Sequence, residues 1–489
     1  MKKKNLIGSF GRGLGVLAGT VLLFCMGGCE KDAPGAERGS YEEPTQQAVL
    51  TPDPEPAVIT QPEPTVADPE PEQTASSEIP VLVRSERSEN YWGEDYRDLY
   101  LATDYQLLHV EEAYGESHPL LRDAVEAANE SILIAESEIF SDLADEIKRQ
   151  DPEDRKRDLE FGRFPEHLHW EVYTRRADPK ILSYLILKRS YDGIAEYETQ
   201  TCMAHNFYVE SGQEIGFSEV VADEDAFYEL LAEKTAKQSQ EEMLSAYQID
   251  RGYDPEATKQ EILKCMKEDT GCWVLDPQGI TFCFDSFIFV TGPEKVTVLF
   301  SEDTEGTIFT DAFRTDIPED WIMQLPQFWE HTFDADDDGV ADKLEFYESS
   351  DYDASADRFA VSGVSIGFDG KYEKFPCTEG ADAYDYRAYL VHRGGKSSLL
   401  VSHMEYDYGY LDSYNLVAGG ARQADAVEAS IAWLEEAAQI WGEEKISPSY
   451  VPADPDRIPI LYLEHAENPA ITEGMLGIGS DGSFTEKTP

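Results

Sequence analysis

Oxygen-bearing side chains crowd into one short stretch, FDADDDGVADKLEF, which runs from residue 333 to residue 346. Their spacing matches a calcium loop, in which alternate residues supply oxygens and a glycine at the sixth position permits a sharp turn. A calcium ion binds about six to eight oxygens, and this pattern folds them around one centre. The sequence therefore predicts a Ca²⁺ site. Its ligands are Asp334, Asp336, Asp338, the backbone oxygen of Val340, Asp342 and Glu345, with Gly339 at the turn.

The segments on either side of this loop predict strands. WEHTF before the loop and KLEFYES after it alternate apolar and polar residues with period two. An EF-hand has helices at both positions, so we expect the ion to fix a connection between two strands. An acidic turn without an ion is the alternative, although carboxylates this close repel one another unless something neutralises them.

Two arrangements of histidines could carry metal chemistry, and neither has a complete ligand set. TFD at residues 332–334 resembles the acidic motif of polysaccharide deacetylases, which also need two histidines spaced along one helix. His392 and His403 instead lie apart, on predicted strands. His167 and His169 would share one face of a strand and could bind zinc, but no third ligand follows at a suitable spacing. The sequence favours a structural role for this pair.

The cysteines beyond the leader are few and odd in number, at positions 202, 265, 272, 283 and 377. Cys265 and Cys272 are close enough in sequence to be bridged, and Cys202 could meet Cys283 across a sheet; the sequence leaves both open. His205 follows Cys202 closely, but nothing orients it, so we expect a buried and inert thiol. Because no phosphate-binding glycine loop, HExxH or paired CxxC motif occurs, we expect no enzyme.

The first residues form an export leader. Three lysines at positions 2–4 precede GLGVLAGTVLLFC, an apolar run too short to span a membrane. The run ends in MGGC, which resembles a bacterial lipoprotein signal with Met26 in place of the usual leucine. This resemblance implies a signal peptide over residues 1–29, lipidation of Cys29 with palmitate-type acyl chains, and a place on the outer face of the cell membrane. Ordinary secretion is the alternative.

Residues 30–88 predict a disordered stalk. The run PDPEPAVITQPEPTVADPEPEQT has few large apolar groups, so it cannot bury enough surface to offset the entropy of ordering. The whole chain of 489 residues is also acidic, with a formal net charge of −58 from 98 acids and 40 bases. Such a charge argues against nucleic acid as a partner and favours cationic partners, or it simply keeps an exported protein soluble.

Helices and strands alternate along residues 89–317. A strand pattern in LYLATDYQLLHV precedes a long helix from Ser117, and two more helices start near Glu224 and at Asp254-Pro255. The order TRRADPKILSYLI, NFYVESGQEIGFSEVV, helix, then GITFCFDSFIFVTGPEKVTVLFSE resembles the extracellular domain of RsiV-type anti-sigma factors. The N-terminal domain of PdaC-type deacetylases is similar.

The resemblance implies a binding module, and in the anti-sigma factors its ligand is lysozyme. This chain departs from the family because it has no cytoplasmic sigma-binding segment, no transmembrane helix and no deacetylase domain.

Residues 318–489 predict a second, mainly-β domain that contains the calcium-type loop. Short alternating runs separated by Gly and acidic turns indicate strands, and one helix is predicted for ADAVEASIAWLEEAAQIWGEE after Ala421. This part is similar, more loosely, to β-rich modules of Gram-positive surface lipoproteins. The predicted fold class is thus α+β: a mixed helix and antiparallel-sheet domain, then a mainly-β domain.

The sequence predicts a lipid-anchored binding protein outside the cytoplasmic membrane. Its expected ligand is an extracellular protein, such as lysozyme or another cationic protein that acts on the cell wall. The alternatives are an enzyme that acts on cell-wall glycan, as a hydrolase or deacetylase, and a purely structural surface spacer. An enzyme would need two acids opposed across a cleft, which no local pattern reveals.

Overall fold

The computed structural model describes residues 78–93, 98–160, 164–191, 199–247, 254–268, 270–285, 295–327, 329–353, 358–376, 383–405, 408–432, 445–463 and 471–487. The predicted signal peptide with Cys29, most of the predicted stalk, and Cys377 lie outside these residues. Within them, no helix is both long enough and apolar enough to cross a bilayer.

Twenty-two strands form most of the described structure. They are β1 Leu82–Trp92, β2 Leu99–Val110, β3 Glu166–Ala177, β4 Ile181–Tyr191, β5 Thr199–Tyr208, β6 Gly271–Asp276, β7 Gly279–Phe284, β8 Lys295–Leu299, β9 Trp321–Leu325, β10 Glu330–Phe333, β11 Asp342–Asp353, β12 Arg358–Phe368, β13 Lys371–Pro376, β14 Ala383–His392, β15 Ser397–Glu405, β16 Tyr408–Val417, β17 Gly420–Val427, β18 Ser430–Ile431, β19 Lys445–Val451, β20 Ile458–Leu463, β21 Ile471–Ile478 and β22 Phe484–Lys487.

Seven α-helices accompany them in the described residues, together with one 3₁₀ turn at Phe300–Glu302. They are α1 Glu112–Ser117, α2 Pro119–Arg149, α3 Pro152–Glu160, α4 Phe217–Val220, α5 Glu224–Tyr247, α6 Pro255–Lys267 and α7 Asp311–Arg314. The three helices predicted in this region are confirmed as α2, α5 and α6. For α6, the Asp254 side chain accepts a hydrogen bond from the Ala257 amide at 3.1 Å, as an N-cap does.

The prediction of an α+β fold class was wrong, because the protein is mainly β, with five separate sheets in the part of the chain that the structure describes. One cause lies in the predicted helix after Ala421. Its described residues form β17 and β18 instead, and β17 pairs antiparallel with β16. Pairing in the sheet supplies the backbone hydrogen bonds that a helix would have made, and it overrides the helix propensity of an Ala- and Glu-rich segment.

The largest sheet has six strands in the order β19-β1-β2-β3-β4-β5. β2 and β3 run parallel, and the crossover between them contains α2, whose Leu121, Val125 and Ile132 pack on the sheet. The sheet joins strands from both sides of the predicted domain boundary at residue 317, because β19 pairs with β1. β1 itself begins at Leu82, within the range predicted as stalk.

A smaller hairpin sheet, β6-β7-β8, is covered by α5 and α6. Phe227 and Leu231 of α5 and Ile262 of α6 are buried against Phe282 and Val298 of the sheet. Each of these helices therefore contributes one apolar face to a common core, which is the usual reason for an amphipathic helix to fold.

Three further sheets are built from the strands that follow Asp320, except β19, which belongs to the six-stranded sheet. Their orders are β10-β11-β12-β13, β17-β16-β15-β14-β9 and β18-β20-β21-β22. The five-stranded sheet lies in the middle, because β14 is buried on both faces: Ala388 and Leu390 belong to one core, whereas Tyr389 and Val391 belong to another. The loop with the calcium-type spacing connects β10 to β11 at the edge of these layers.

Candidate functional site: a carboxylate loop and an acidic crevice

The carboxylate loop, residues 334 to 341, connects two strands. β10 ends at Phe333 and β11 begins at Asp342, and these two residues face each other in the antiparallel ladder. The prediction that strands flank the loop is thereby confirmed. Backbone angles with positive φ at Asp337 (58°) and Gly339 (82°) turn the chain back on itself.

Backbone amides hold the carboxylates of the loop in place. The two oxygens of Asp334 accept from the amides of Asp338 at 3.1 Å and Gly339 at 2.8 Å. Asp338 accepts from the Val340 amide at 2.7 Å. Asp334 is also buried, with 8% of its surface exposed. The loop therefore orients its carboxylates before any ion arrives.

Three carboxylates of the loop converge. Asp334, Asp336 and Asp338 each offer one oxygen, and these oxygens all lie within 4.8 Å of one another. Oxygens from several carboxylates are what a hard cation such as Ca²⁺ binds. The loop thus brings together the first three of the predicted ligands.

Asp342 lies beside these carboxylates at the start of β11. Its Oδ2 accepts from the Ala335 amide at 2.7 Å. Burial raises the pKa of Asp342 to about 6, and the negative charges of Asp369, Asp336 and Asp334 add to the rise, while the Ala335 hydrogen bond opposes it. A divalent cation among these groups would remove the repulsion that favours the protonated form.

Glu345, the predicted ligand at the twelfth position, lies three residues further along β11, opposite Glu330. Side chains alternate along a strand, so Glu345 is on the face opposite to that of Asp342. The structure does not bring it to the converging carboxylates. Asp369 lies closer to this end of β11: it bonds Lys343 twice, through its carboxylate at 3.2 Å and its amide at 3.0 Å.

Val340, whose backbone oxygen is a predicted ligand, is 61% exposed at the tip of the loop.

Two side chains from other elements anchor the carboxylate loop. Gln278, in the turn between β6 and β7, donates to the Asp334 carbonyl and accepts from the Asp334 amide, both at 2.9 Å. On the other side, Asp337 lies 3.3 Å from Nε2 of the buried His392. The loop therefore connects the β6-β7-β8 sheet to the central five-stranded sheet.

A second group of acids lines an acidic crevice of about 750 Å³ between the start of β1, α1, β19 and the β20-β21 hairpin. Cavities of this size hold small ligands or a side chain of a partner protein. Apolar groups such as Tyr114, Val451, Ile460 and Met475 line it, and so does Tyr450. Its charged residues are Glu78, Glu111, Asp454, Glu473 and a single base, Arg457.

Tyr450 lies in the electrostatic field of two of these acids. Burial raises its pKa, and Glu111 and Glu473 raise it further. Glu111 caps α1 by accepting from the Tyr114 amide at 3.0 Å. Burial also raises the pKa of Tyr114, to about 12. Both tyrosines therefore stay neutral, and the crevice combines aromatic surface with negative charge.

The histidines and the cysteine that the sequence analysis considered for zinc or thiol chemistry form ion pairs, hydrogen bonds or ring contacts with other residues, or are exposed. His167 is exposed, whereas the ring of His169 pairs with Glu171 at 3.4 Å. His205 pairs with Glu214 at 3.4 Å and stacks on Phe207.

Cys202 turns toward Asp285 instead of His205, with its sulfur 3.8 Å from that carboxylate. His392 bonds Ser397, and His403 stacks between two tyrosine rings.

A serine motif of the form GxSxG also occurs, as GVSIG at residues 363–367. It lies within β12, where Ser365 pairs with Tyr347 on one side and Lys374 on the other. A nucleophile elbow needs a sharp turn from strand to helix, so this serine does not have the geometry of a hydrolase nucleophile.

Comparison with known proteins yields little. No protein-family model matches the chain, and no curated protein does. Among solved structures, it is similar to a member of the DUF3298 family from Bacteroides fragilis, at 13% identity and a TM-score of 0.32, over 50% of this chain and 99% of that chain. A likeness this slight supports no argument about function.

Several contacts of the loop and the crevice could not be predicted from the sequence. Gln278 and His392 carry no local motif and reach the carboxylate loop only through the packing of sheets. The acidic crevice is likewise assembled from segments more than 300 residues apart, around Glu111 and Glu473.

Proposed function

We propose that this protein is a lipid-anchored binding protein outside the cytoplasmic membrane, and that it binds a cationic protein, such as lysozyme, at the acidic crevice. The observation that carries the proposal is the composition of this crevice: four carboxylates and one base around an aromatic and apolar lining. A lysine or arginine side chain of a partner has a long apolar stem and a charged head, and both parts find a complement there.

The excess of acids over bases gives the protein a negative field, and burial of paired arginines does not reduce it. Arg84, Arg175 and Arg176 are each about 2% exposed. Arg175 forms a two-point ion pair with Asp276, at 2.8 and 2.9 Å. Arg176 likewise pairs with the buried Asp178, so each of these pairs takes one acid and one base inside and leaves the excess of 98 acids over 40 bases in the chain unchanged. Such a field accelerates encounter with a basic partner.

We further propose that the carboxylate loop binds Ca²⁺ and thereby stiffens the junction of the sheets it connects. Asp334, Asp336, Asp338 and Asp342 would supply side-chain oxygens, and the Val340 carbonyl would be added by the loop backbone. The preformed hydrogen bonds to Asp334 lower the entropic cost of collecting these ligands. The ion in this proposal is structural, and the cationic partner binds elsewhere.

Binding to immobilised hen-type lysozyme at physiological salt tests the partner. We expect the double variant Glu111→Gln, Glu473→Gln to weaken binding about tenfold, because it removes two negative charges from the crevice and keeps the shapes of the side chains. Glu130→Gln with Glu305→Gln is the matched control, since both acids are exposed, lie outside the crevice and change the net charge equally.

Equal weakening by the crevice pair and the control pair would show nonspecific charge attraction. Loss of wild-type binding on going from low to physiological salt would lead to the same conclusion. Release of sugars or acetate from peptidoglycan by the wild-type protein would favour the glycan-acting enzyme instead.

The anchor is tested separately from the partner. We expect the wild-type chain to fractionate with membranes and to take up a fatty-acid label, and Cys29→Ser to abolish both. Unchanged membrane association of the Cys29→Ser variant would contradict lipidation at this residue.

A further inference from the structure

Three cysteine side chains meet in the core where β5 contacts β6 and β7. Cys202 of β5 and Cys283 of β7 are buried in the same hydrophobic cluster, and the half-buried Cys272 of β6 packs against it. All three are free thiols, and they form hydrogen bonds with one another. Cys265, also a free thiol, lies in a different core and offers an internal comparison.

The register of the hairpin decides which thiols could join. Cys272 and Cys283 are direct partners across β6 and β7. The Asp285 amide donates to the Thr270 carbonyl, two positions along the ladder, so the Cys272–Cys283 position is also a hydrogen-bonded pair. Such pairs have Cα atoms about 5.5 Å apart, which a disulfide allows, but their Cβ atoms are typically about 4.5–5.5 Å apart, farther than the roughly 3.8 Å typical of a disulfide. A disulfide between Cys272 and Cys202, which lies in the neighbouring sheet, is not subject to this fixed cross-strand spacing.

Charged groups lie beside the three thiols. Asp285 accepts from the Cys202 amide at 3.1 Å and lies 3.8 Å from its sulfur. Burial opposes ionisation of Cys283, but hydrogen bonds from Cys202 and Cys272 and the positive charge of Arg175 together lower its pKa well below the usual value. Hydrogen bonds to Cys202 and Cys283, together with burial, raise the pKa of Cys272 well above the usual value, so Cys283 is the more acidic of these two thiols.

We propose that Cys202, Cys272 and Cys283 form a thiol–disulfide exchange site that ends with a Cys202–Cys272 bond between the six-stranded sheet and the β6-β7-β8 sheet. The oxidant is an external disulfide, of a small molecule or of an oxidoreductase. Cys272, the most accessible of the three, attacks it and forms a mixed disulfide, releasing one thiol. Cys202 then attacks the Cys272 sulfur and releases the second thiol.

Atoms and electrons balance in this sequence. Two protein thiols lose two electrons and two protons and become one disulfide, and the external disulfide gains them and becomes two thiols. Cys283 does not enter the final bond. It packs against the two reacting thiols, and the protons of Cys272 and Cys202 leave on the two thiols that the external disulfide releases.

The experiment treats the purified full chain with oxidised glutathione, blocks remaining thiols with an alkylating agent, and maps linked peptides by mass spectrometry. We expect a Cys202–Cys272 peptide and a rise of several degrees in melting temperature, reversed by reductant, because the bond closes a long loop between two sheets. Cys265→Ser should behave as the wild type, and Cys272→Ser should lose both the linked peptide and the shift.

Mapping the wild-type chain needs no variant to fold, so the proposal stays open to refutation even if a substitution disrupts the core. It is overturned if the native chain yields no Cys202–Cys272 peptide, if Cys272–Cys283 is the bond that forms, or if linkage requires denaturant.

Discussion

The carboxylate loop and the acidic crevice carry the same kind of charged group in two different arrangements. In the loop, oxygens of three aspartates lie within 4.8 Å of one another and are oriented by backbone amides. In the crevice, four acids are distributed around a lining of about 750 Å³ that also contains tyrosine and aliphatic side chains. A small hard ion fits the first geometry, whereas a larger amphipathic cation fits the second.

This difference teaches that spacing and surroundings, more than charge, decide what an acidic group can bind. Burial raises the pKa of Asp342 to about 6, the negative charges of Asp369, Asp336 and Asp334 add to the rise, and a bound cation would relieve that repulsion. Dispersed acids beside apolar surface do not need a bound ion. Their negative potential is available to a partner that also buries apolar area.

The largest effect is expected from Asp334→Ala in the loop. This change removes the buried carboxylate that accepts from the Asp338 and Gly339 amides, and the loss of two hydrogen bonds to a charged acceptor costs about 2–3 kcal/mol of unfolding free energy even in a chelator. It should also abolish any rise in melting temperature on calcium titration. If the variant kept both its stability and its calcium response, Asp334 would neither hold the loop together nor bind calcium.

A smaller effect is expected from Asp336→Asn, because Asp336 is exposed and no backbone bond holds it. We expect stability in a chelator to change by less than about 0.5 kcal/mol, while calcium affinity falls at least about tenfold. Isothermal titration calorimetry together with denaturant unfolding measures both. If Asp336→Asn lowered stability but left calcium affinity unchanged, Asp336 would hold the loop together and would not be a calcium ligand.

In the crevice, Tyr450→Ala should weaken lysozyme binding by about 1–2 kcal/mol and leave the calcium response intact. The aromatic side chain supplies apolar contact between Glu111 and Glu473, so its loss removes contact area without changing the charge. Surface plasmon resonance checks the affinity. Tyr450→Phe serves as the control, since it keeps the ring, and equal losses in both variants would point to the hydroxyl instead.

The pH dependence in a chelator follows from Asp342. Its pKa in the folded state is about 6, above the ordinary value of 3.8, so folding is favoured by protonation of this group. The contribution is fully present below about pH 4 and is lost as the pH rises through about 6. Denaturation midpoints between pH 4 and 7 should show this fall, and Asp342→Asn or saturating calcium should flatten it.

The smallest effect is expected from Glu345→Gln. Because its side chain is on the opposite face of β11 from Asp342, calcium affinity should stay within about twofold of the wild type. Asp342→Asn, made in parallel, should lower the affinity more. If Glu345→Gln had the larger effect, the loop would have to rearrange toward Glu345 on binding calcium.

Local features were well predicted because their cause is local. The spacing of Asp334, Asp336 and Asp338 around Gly339 is contained in six residues, and hydrogen bonds within this segment orient the carboxylates. Period-two alternation predicted β10 and β11 for the same reason. Glu345 was assigned as a ligand by analogy with the EF-hand, in which a helix follows the calcium loop. Here a strand follows the loop, and because side chains alternate along a strand, Glu345 and Asp342 are on opposite faces.

The sequence by itself determined the short-range chemistry: an acidic loop between two strands, the start of α6 at Asp254, and an excess of acids over bases. Only the tertiary structure decided that the segment after Ala421 pairs as a strand, that Glu111 and Glu473 line the same crevice, and that Cys202 packs with Cys272 and Cys283. Contacts of this kind depend on which sheet edges pair and which faces are buried. Those choices are settled by the free energy of the whole core, which no local pattern contains.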